Sequence, residues 1–196
     1  QTLLSPLALR HSHRPEHTKH LRELMYVSVL QEPRPLERRD NRSHFQSGNT
    51  EIDDWFHRFA WQNHRAGNAH VFVTTQEPET LGFYALSMGA VQRSTLPDAL
   101  KPGQRPEPCP VLLLARLAVD QRVQGRGIGA ALLKDALLRA YKLSNEVGFA
   151  ALLVHCANDQ AREFYLNQCS QFVSCPGADN HLMLPLRALR EFINTL

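Results

Sequence analysis

The sequence predicts an α/β domain: a mixed central sheet flanked by helices on both faces. Three observations carry this. The chain has 196 residues, 43% hydrophobic and 21% charged, enough to bury one sizeable core. Two apolar runs of strand length, Val111 to Val119 and Phe149 to Cys156, are separated by an amphipathic stretch of helix length. The order strand, helix, strand, helix, strand then suits a sheet covered on both sides.

Each element follows from local chemistry. A helix is predicted from about Thr50 to Asn63. Asn49 or Thr50 caps it, Glu51, Asp53 and Asp54 suit its positive end, and Ile52, Trp55, Phe56 and Phe59 form one apolar face, read as core. Gly67 and Asn68 end it. His70 to Thr75 and Leu81 to Met88 read as a hairpin turning at Glu77-Pro78-Glu79. Residues 94–110 hold several prolines and a glycine and read as a loop. Val111 to Val119, apolar but for Arg116, is a central strand. Gly127 to Ser144 is a helix with Ile128, Leu132, Leu133, Ala136, Leu137 and Ala140 inward. Phe149 to Cys156 is a buried strand. Asn158 to Gln168 is a helix capped by Asn158, and His181 to Leu186 is a last short strand before a terminal helix.

Residues 1–30 differ from the rest. They are rich in His, Arg and Pro and precede a Pro- and charge-rich stretch, Gln31 to Asn41, and Met25 lies inside them. They are expected to be a disordered or non-native N-terminal extension, with the folded domain over 31–196. No apolar run approaches the roughly 20 residues that span a bilayer, and the start has no charged region or cleavage site of a signal peptide. A membrane role is therefore not expected, and a cytoplasmic location is. Cys109, Cys156, Cys169 and Cys175 form no CxxC pair and read as reduced thiols. His11, His13, His17 and His20 lack a partner Cys or carboxylate at ligand spacing, so no metal is expected.

The net charge of +3 says little, but residues 93–126 alone carry +3. A basic face of this kind suits a phosphate-rich ligand. The same region holds the segment richest in chemistry, LARLAVDQRVQGRGIGAALL from Leu114 to Leu133. A buried strand ends, a turn with Gly125, Gly127 and Gly129 on alternate positions follows, and a helix begins. Such a turn lets a phosphate approach the backbone, with N–H groups from Gln124 to Ala130 aimed at one anion and the positive helix end behind them. Arg122 and Arg126 are expected to add mobile charge at the rim. A plain strand–helix connection is one alternative. A dinucleotide fingerprint needs GxGxxG in an early βαβ unit, and a phosphate loop of the GKS or GKT type needs that ending; the sequence has neither.

The pattern Arg122-Val123-Gln124-Gly125-Arg126-Gly127, followed by Ile128-Gly129-Ala130 and a Leu-Leu helix, resembles the acetyl-CoA loop of the GNAT superfamily. Phe45-Gln46-Ser47-Gly48, Ile52 to Phe56, Gly82 to Leu86, Leu114 to Asp120, Ala161 and Phe164-Tyr165 are similar to the GNAT toxins of type II toxin–antitoxin systems, over about residues 42–187. The resemblance implies the GNAT (acyl-CoA N-acyltransferase) fold and acetyl-CoA as cosubstrate. It implies N-acetylation of the α-amine of aminoacyl-tRNA, a block to translation, a ribbon-helix-helix antitoxin partner and a homodimer. Other expectations for the same chemistry are acetylation of a small amine or a protein N-terminus, or an inactive domain that binds CoA. Two departures stand out. The family usually has Arg in the strand that here reads His70-Val71-Phe72-Val73. It also has Gly-Phe three residues after Phe-Tyr, where this chain has Cys169-Ser170-Gln171-Phe172.

The chemistry assigns roles. An α-amine has a pKa of about 8, so part is already neutral near pH 7 and no strong base is needed. The tetrahedral oxyanion needs a donor, expected from a backbone N–H near the end of the Val111–Val119 strand, where Leu117 and Val119 also face the pantetheine amides. The leaving thiolate needs an acid. Tyr165, a packed aromatic beside Phe164 by spacing alone, becomes the catalytic candidate under the resemblance. His155 is either a base or a satisfied core histidine. Asn158 is a helix cap that also fits a cofactor contact. Arg93 and Arg116 are candidates for tRNA phosphate contacts, although a strand-borne Arg116 also fits pairing with Asp120.

Overall fold

The computed structural model describes residues 29–195; the extension expected over 1–30 and its histidine cluster therefore lie almost wholly outside the described residues. In chain order the elements are β1 (Arg34–Pro35), α1 (Thr50–Arg58), α2 (Ala60–Ala66), β2 (His70–Gln76), β3 (Glu79–Val91), β4 (Cys109–Val119), α3 (Ile128–Leu143), β5 (Ala151–His155), α4 (Asp159–Gln168), β6 (Val173–Cys175), β7 (Ala178–Pro185) and α5 (Leu186–Ile193). The seven strands form one sheet in the order β1-β2-β3-β4-β5-β7-β6. Only β4 and β5 run parallel, and α3 is the crossover that joins them.

The expected helix 50–63 is two helices. Asn49 caps α1 through Oδ1, which accepts from the N–H groups of Glu51 and Ile52 at 3.1 and 3.2 Å. The break falls at Phe59, which is 51% exposed, so the predicted stripe loses its last member. Phe56 alone is fully buried; it stacks on Phe83 with centroids 3.9 Å apart. The hairpin is longer than its apolar cores because β2 and β3 pair down to Gln76 and Glu79. Two short strands had no apolar run to announce them. β1 lies in the Pro-rich stretch and pairs at the sheet edge, where Pro35 is tolerated. β6 closes a hairpin with β7, which begins at Ala178 and not at His181.

Three apolar layers result. On one face α3, α4 and α5 bury Leu132, Leu133, Tyr165 and Leu189 against Tyr84, Leu112, Leu114, Leu152 and Val154. On the other face α1 and α2 cover Val71, Val73, Phe83, Ala85 and Ala118. Beside them the loop before β4 packs Leu96 and Leu100 on Val111, Ala151, Leu153 and Met183. All four cysteines are buried free thiols.

The inner face of α3 is the one its sequence periodicity gave, and it carries the weight of the main core. Leu132→Ala should therefore lower the unfolding free energy by about 2–5 kcal/mol, read from urea or thermal unfolding; a loss under about 1 kcal/mol would mean that the core is not packed as described.

Candidate active site

The site begins where β4 loses a neighbour. β4 pairs with β3 along its whole length, but with β5 only at Leu112, Leu113 and Leu114. Beyond Val154, β5 stays with β7, and Cys156 N–H donates to Asn180 O at 2.7 Å. The far half of β4 thus has an open edge. A bulge lies at Ala115, since Leu114 pairs with Leu86 and Arg116 with Ala85. After the bulge Asp120 N–H donates to Leu81 O of the neighbouring chain run at 2.9 Å. Antiparallel alternation then turns the main-chain groups of Leu117 and Val119 away from β3, into the opening. Val119 O is already taken by Gln124 Nε2 at 2.9 Å, so Val119 keeps only its N–H there.

Next comes the turn. Gly125 and Gly127 have φ of 75° and 83°, the left-handed region that side chains disfavour. A Cβ on either would meet nothing within 4 Å, so bare backbone faces open space. No acceptor in the described residues takes an N–H from Gln124 to Ala130; the bonds resume with Ala131 N–H on Gly127 O at 3.1 Å. Ile128 and Ala130 lie in the first turn of α3, and Ile128 also anchors it in the core. Consecutive free donors at the positive end of a helix of 16 residues form an anion seat. Arg126 is exposed beside it. Arg122 is not mobile as expected: its Nε and Nη2 hold the two oxygens of Asp120 at 2.8 and 2.9 Å.

Helix α4 closes the same end. The Phe164 ring lies 3.5 Å from where a Cβ on Gly129 would stand. Tyr165 is 5% exposed and packs against Phe164 and Phe172, and its hydroxyl makes no hydrogen bond to any described residue. Burial, with Cys156 close by, pushes its phenol well above the ordinary value of 10.0. Asn158 caps α4, its Oδ1 accepting from Ala161 N–H at 2.8 Å.

On the opposite face of the sheet is a cavity of about 400 Å³, lined by Gly89, Val91, Val111, Leu113, Leu153, Met183 and the pair His155 and His181. His155 is no core histidine. It is exposed at the surface and stacks on His181 with ring centroids 4.0 Å apart; partial desolvation of the ring and that neighbour lower its pKa. Arg93 and Arg116 are not brought together. Arg93 follows the end of β3 and donates to Lys101 O and Gly103 O at 2.8 and 3.2 Å. Arg116 lies seven residues along β4 from Cys109, roughly 23 Å at strand rise, with its guanidinium 4.3 Å above the Trp55 ring. It does not pair with Asp120.

A family model for the acetyltransferase (GNAT) domain matches residues 67–168. The tRNA-acetylating toxin of Mycobacterium tuberculosis (strain ATCC 25618 / H37Rv) is 38% identical over 167 residues, 85% of this chain and 99% of that protein. The chain belongs to the GNAT acetyltransferase family. Among solved structures, AtaT complexed with acetyl-methionyl-tRNAfMet superposes with a TM-score of 0.75 at 24% identity, over 84% of this chain and 99% of that one. A tyrosine-to-phenylalanine AtaT mutant bound to the C-terminus of the antitoxin AtaR and acetyl-CoA superposes at 0.70 with 22% identity, over 85% and 99%. These two establish the shared GNAT fold.

The GNAT frame also explains the second departure from the family pattern. Helix α4 ends at Cys169 in extended backbone, φ −149°, where no glycine is needed, and the longer loop still returns the buried Phe172 to the Tyr165 ring. His70, at the other departure, is exposed at the start of β2 with its ring against His64. Two further residues matter. Asp120 is 1% exposed and holds the turn, and His181 lines the cavity. Their signal was weak: Asp120 stands two residues before an arginine, and only register brings His181 opposite His155.

Replacing Gly127 by Ala forces a Cβ into the left-handed region at a cost of about 1–2 kcal/mol. CoA titrated calorimetrically into Gly127→Ala should bind roughly tenfold more weakly than into wild type; equal affinity would remove the turn from the donor site.

Proposed function

We propose that this GNAT protein transfers the acetyl group of acetyl-CoA to the α-amine of an aminoacyl-tRNA and acts as a toxin that stops translation. The observation that carries the donor half is the run of unpaired N–H groups from Gln124 to Ala130 beside the open edge of β4. The acceptor half rests on 38% identity, over nearly the whole length, to a tRNA-acetylating toxin.

The chemistry divides among few groups. The amides of Gln124 to Ala130, with Arg126, hold the diphosphate of CoA. The outward groups of Leu117 and the N–H of Val119 line up the pantetheine arm and donate to the oxyanion. The neutral α-amine attacks the thioester carbonyl carbon, a C–N bond forms, and the carbonyl electrons move to oxygen. As they return, the C–S bond breaks and the thiolate takes the proton of Tyr165 Oη. The ammonium proton of the adduct leaves to solvent, and the phenolate is reprotonated. Burial raises the Tyr165 phenol above its ordinary value, so near neutral pH it is protonated and able to donate. Asn158 holds α4, and through it Tyr165, at the opening.

Arg93 and Arg116 are assigned to tRNA phosphates, at two separate points of the acceptor face. An RNA-modifying toxin of this kind works in the cytoplasm, pairs as a homodimer and is held by a ribbon-helix-helix antitoxin. The AtaT complex with the C-terminus of AtaR is the parallel for that partner. Among the described residues no helix is long and apolar enough to cross a membrane.

Mass spectrometry of total aminoacyl-tRNA after incubation with acetyl-CoA should find N-acetylated aminoacyl ends; acetylation of small amines or protein N-termini only would replace the acceptor. Tyr165→Phe should cut kcat by about 10²–10⁴-fold with little change in CoA affinity. In wild type, kcat/KM should climb with pH to a plateau set by the amine, near about 8. A Tyr165→Phe rate equal to that of wild type would contradict the assignment, whereas a falling limb between neutrality and that plateau, absent in Tyr165→Phe, would contradict only the raised phenol pKa.

A further inference from the structure

The anion-binding turn does not stand alone. A second loop, before α1, is laid against it and bonded to it at several points. Gln121 N–H donates to Gln46 O at 2.8 Å, and Gln124 Nε2 donates to Ser47 O at 2.9 Å. Between these bonds lies Asp120, a carboxylate with 1% exposure. It accepts from Gln46 N–H at 3.3 Å and Arg122 N–H at 3.0 Å, besides the Arg122 guanidinium. Gly48 has a φ of +90°, and a Cβ there would stand 2.5 Å from Gln121 Nε2. The loop before α1 therefore bends back at Gly48 so that its carbonyls meet the turn. It is itself fixed to the helix, because Asp53 accepts from Ser47 N–H and Oγ at 2.9 and 2.6 Å.

We propose that Asp120 and the segment Gln46–Gly48 are positioning residues that hold the Gln124–Ala130 turn in its anion-ready shape and so set affinity for the diphosphate-bearing donor. The idea rests on the assignment of that turn to the CoA diphosphate. None of these side chains reaches the free donors. They act through the turn: an unbraced glycine-rich segment loses about 1–2 kcal/mol per residue when a ligand orders it, and prior ordering takes that cost out of binding. The brace also sorts the charges. Arg122 is held by Asp120, with Glu79 at 3.4 Å, which leaves Arg126 as the cation of the turn free to meet phosphate. Removing the Asp120 charge would loosen the brace and release Arg122 together.

Two donors separate positioning from general destabilisation. S-acetyl-pantetheine carries the thioester and the pantetheine arm but no nucleotide diphosphate, so it does not use the turn. In full-length Asp120→Asn the calorimetric Kd for CoA should rise about tenfold, as expected when a hydrogen bond to a charged group is lost. With total aminoacyl-tRNA as acceptor, kcat/KM for acetyl-CoA should fall in proportion, while that for S-acetyl-pantetheine stays within about twofold. A folded variant that binds CoA as tightly as wild type, or loses both donors equally, overturns the proposal. If Asp120→Asn does not fold, Gly48→Ala carries the same comparison, since its strain falls in the surface turn. Wild type that binds no CoA would sink the underlying assignment and the brace with it. Wild type that binds CoA but acetylates no aminoacyl-tRNA would sink only the acceptor, and the calorimetric comparison would still decide the brace.

Discussion

β4 has two neighbours over only three residues of its far edge. It pairs with β3 from Cys109 to Val119, but with β5 only until Leu114 meets Val154. The rest of the site depends on that parting. Because β5 remains with β7, Leu117 and Val119 present main-chain groups to an opening and not to a strand. Buried main-chain groups without partners are costly, so under the proposed function the open edge between two well-paired halves of the sheet serves a ligand with its own amides. The bulge at Ala115 has the same effect from the other side. It shifts the alternation by one residue, so that Arg116 meets Trp55 on the α1 face while Leu117 and Val119 pack toward α3.

Helix α3 joins the parting to the anion seat. As the crossover between two parallel strands it must start directly beyond β4, so its unpaired N–H groups come to lie at the mouth of the opening. Its apolar face keeps it there, and the Tyr84 hydroxyl bonded to Asp135 ties the same helix to β3. Helix α4, packed through Phe164 against Gly129, brings Tyr165 to the same end. The glycine turn, the open edge and the placement of Tyr165 are thus three consequences of one connection. The opposite face is more loosely built, with the apolar cavity and its histidine pair, Arg93 just past the end of β3 and Arg116 far along β4.

Much of this was legible in residue patterns. The inner face of α3, the Asn158 cap, the β2–β3 hairpin and the three spaced glycines all follow from local periodicity and turn chemistry, whose causes lie within a few residues. Elements set by partners were not legible. β1 and β6 have two and three residues, too few for any period, and exist because a longer strand lies alongside. The break at Phe59 leaves no trace in the apolar stripe, whose last member is Phe59 itself. His155 reads as core from its strand, yet the strand ends at the cavity and exposes it.

The sequence by itself determined the fold class and the family, because glycines between a buried strand and an amphipathic helix make one local shape. The tertiary structure decided which charges are free. Arg122 and Arg126 look alike in the chain, but a buried carboxylate claims the first and leaves the second. Arg116 and Arg93 look like one basic face, but the sheet sets them at opposite ends of a strand. Charge pairing depends on distances of a few ångströms between segments far apart in sequence, and only the packed chain fixes those distances.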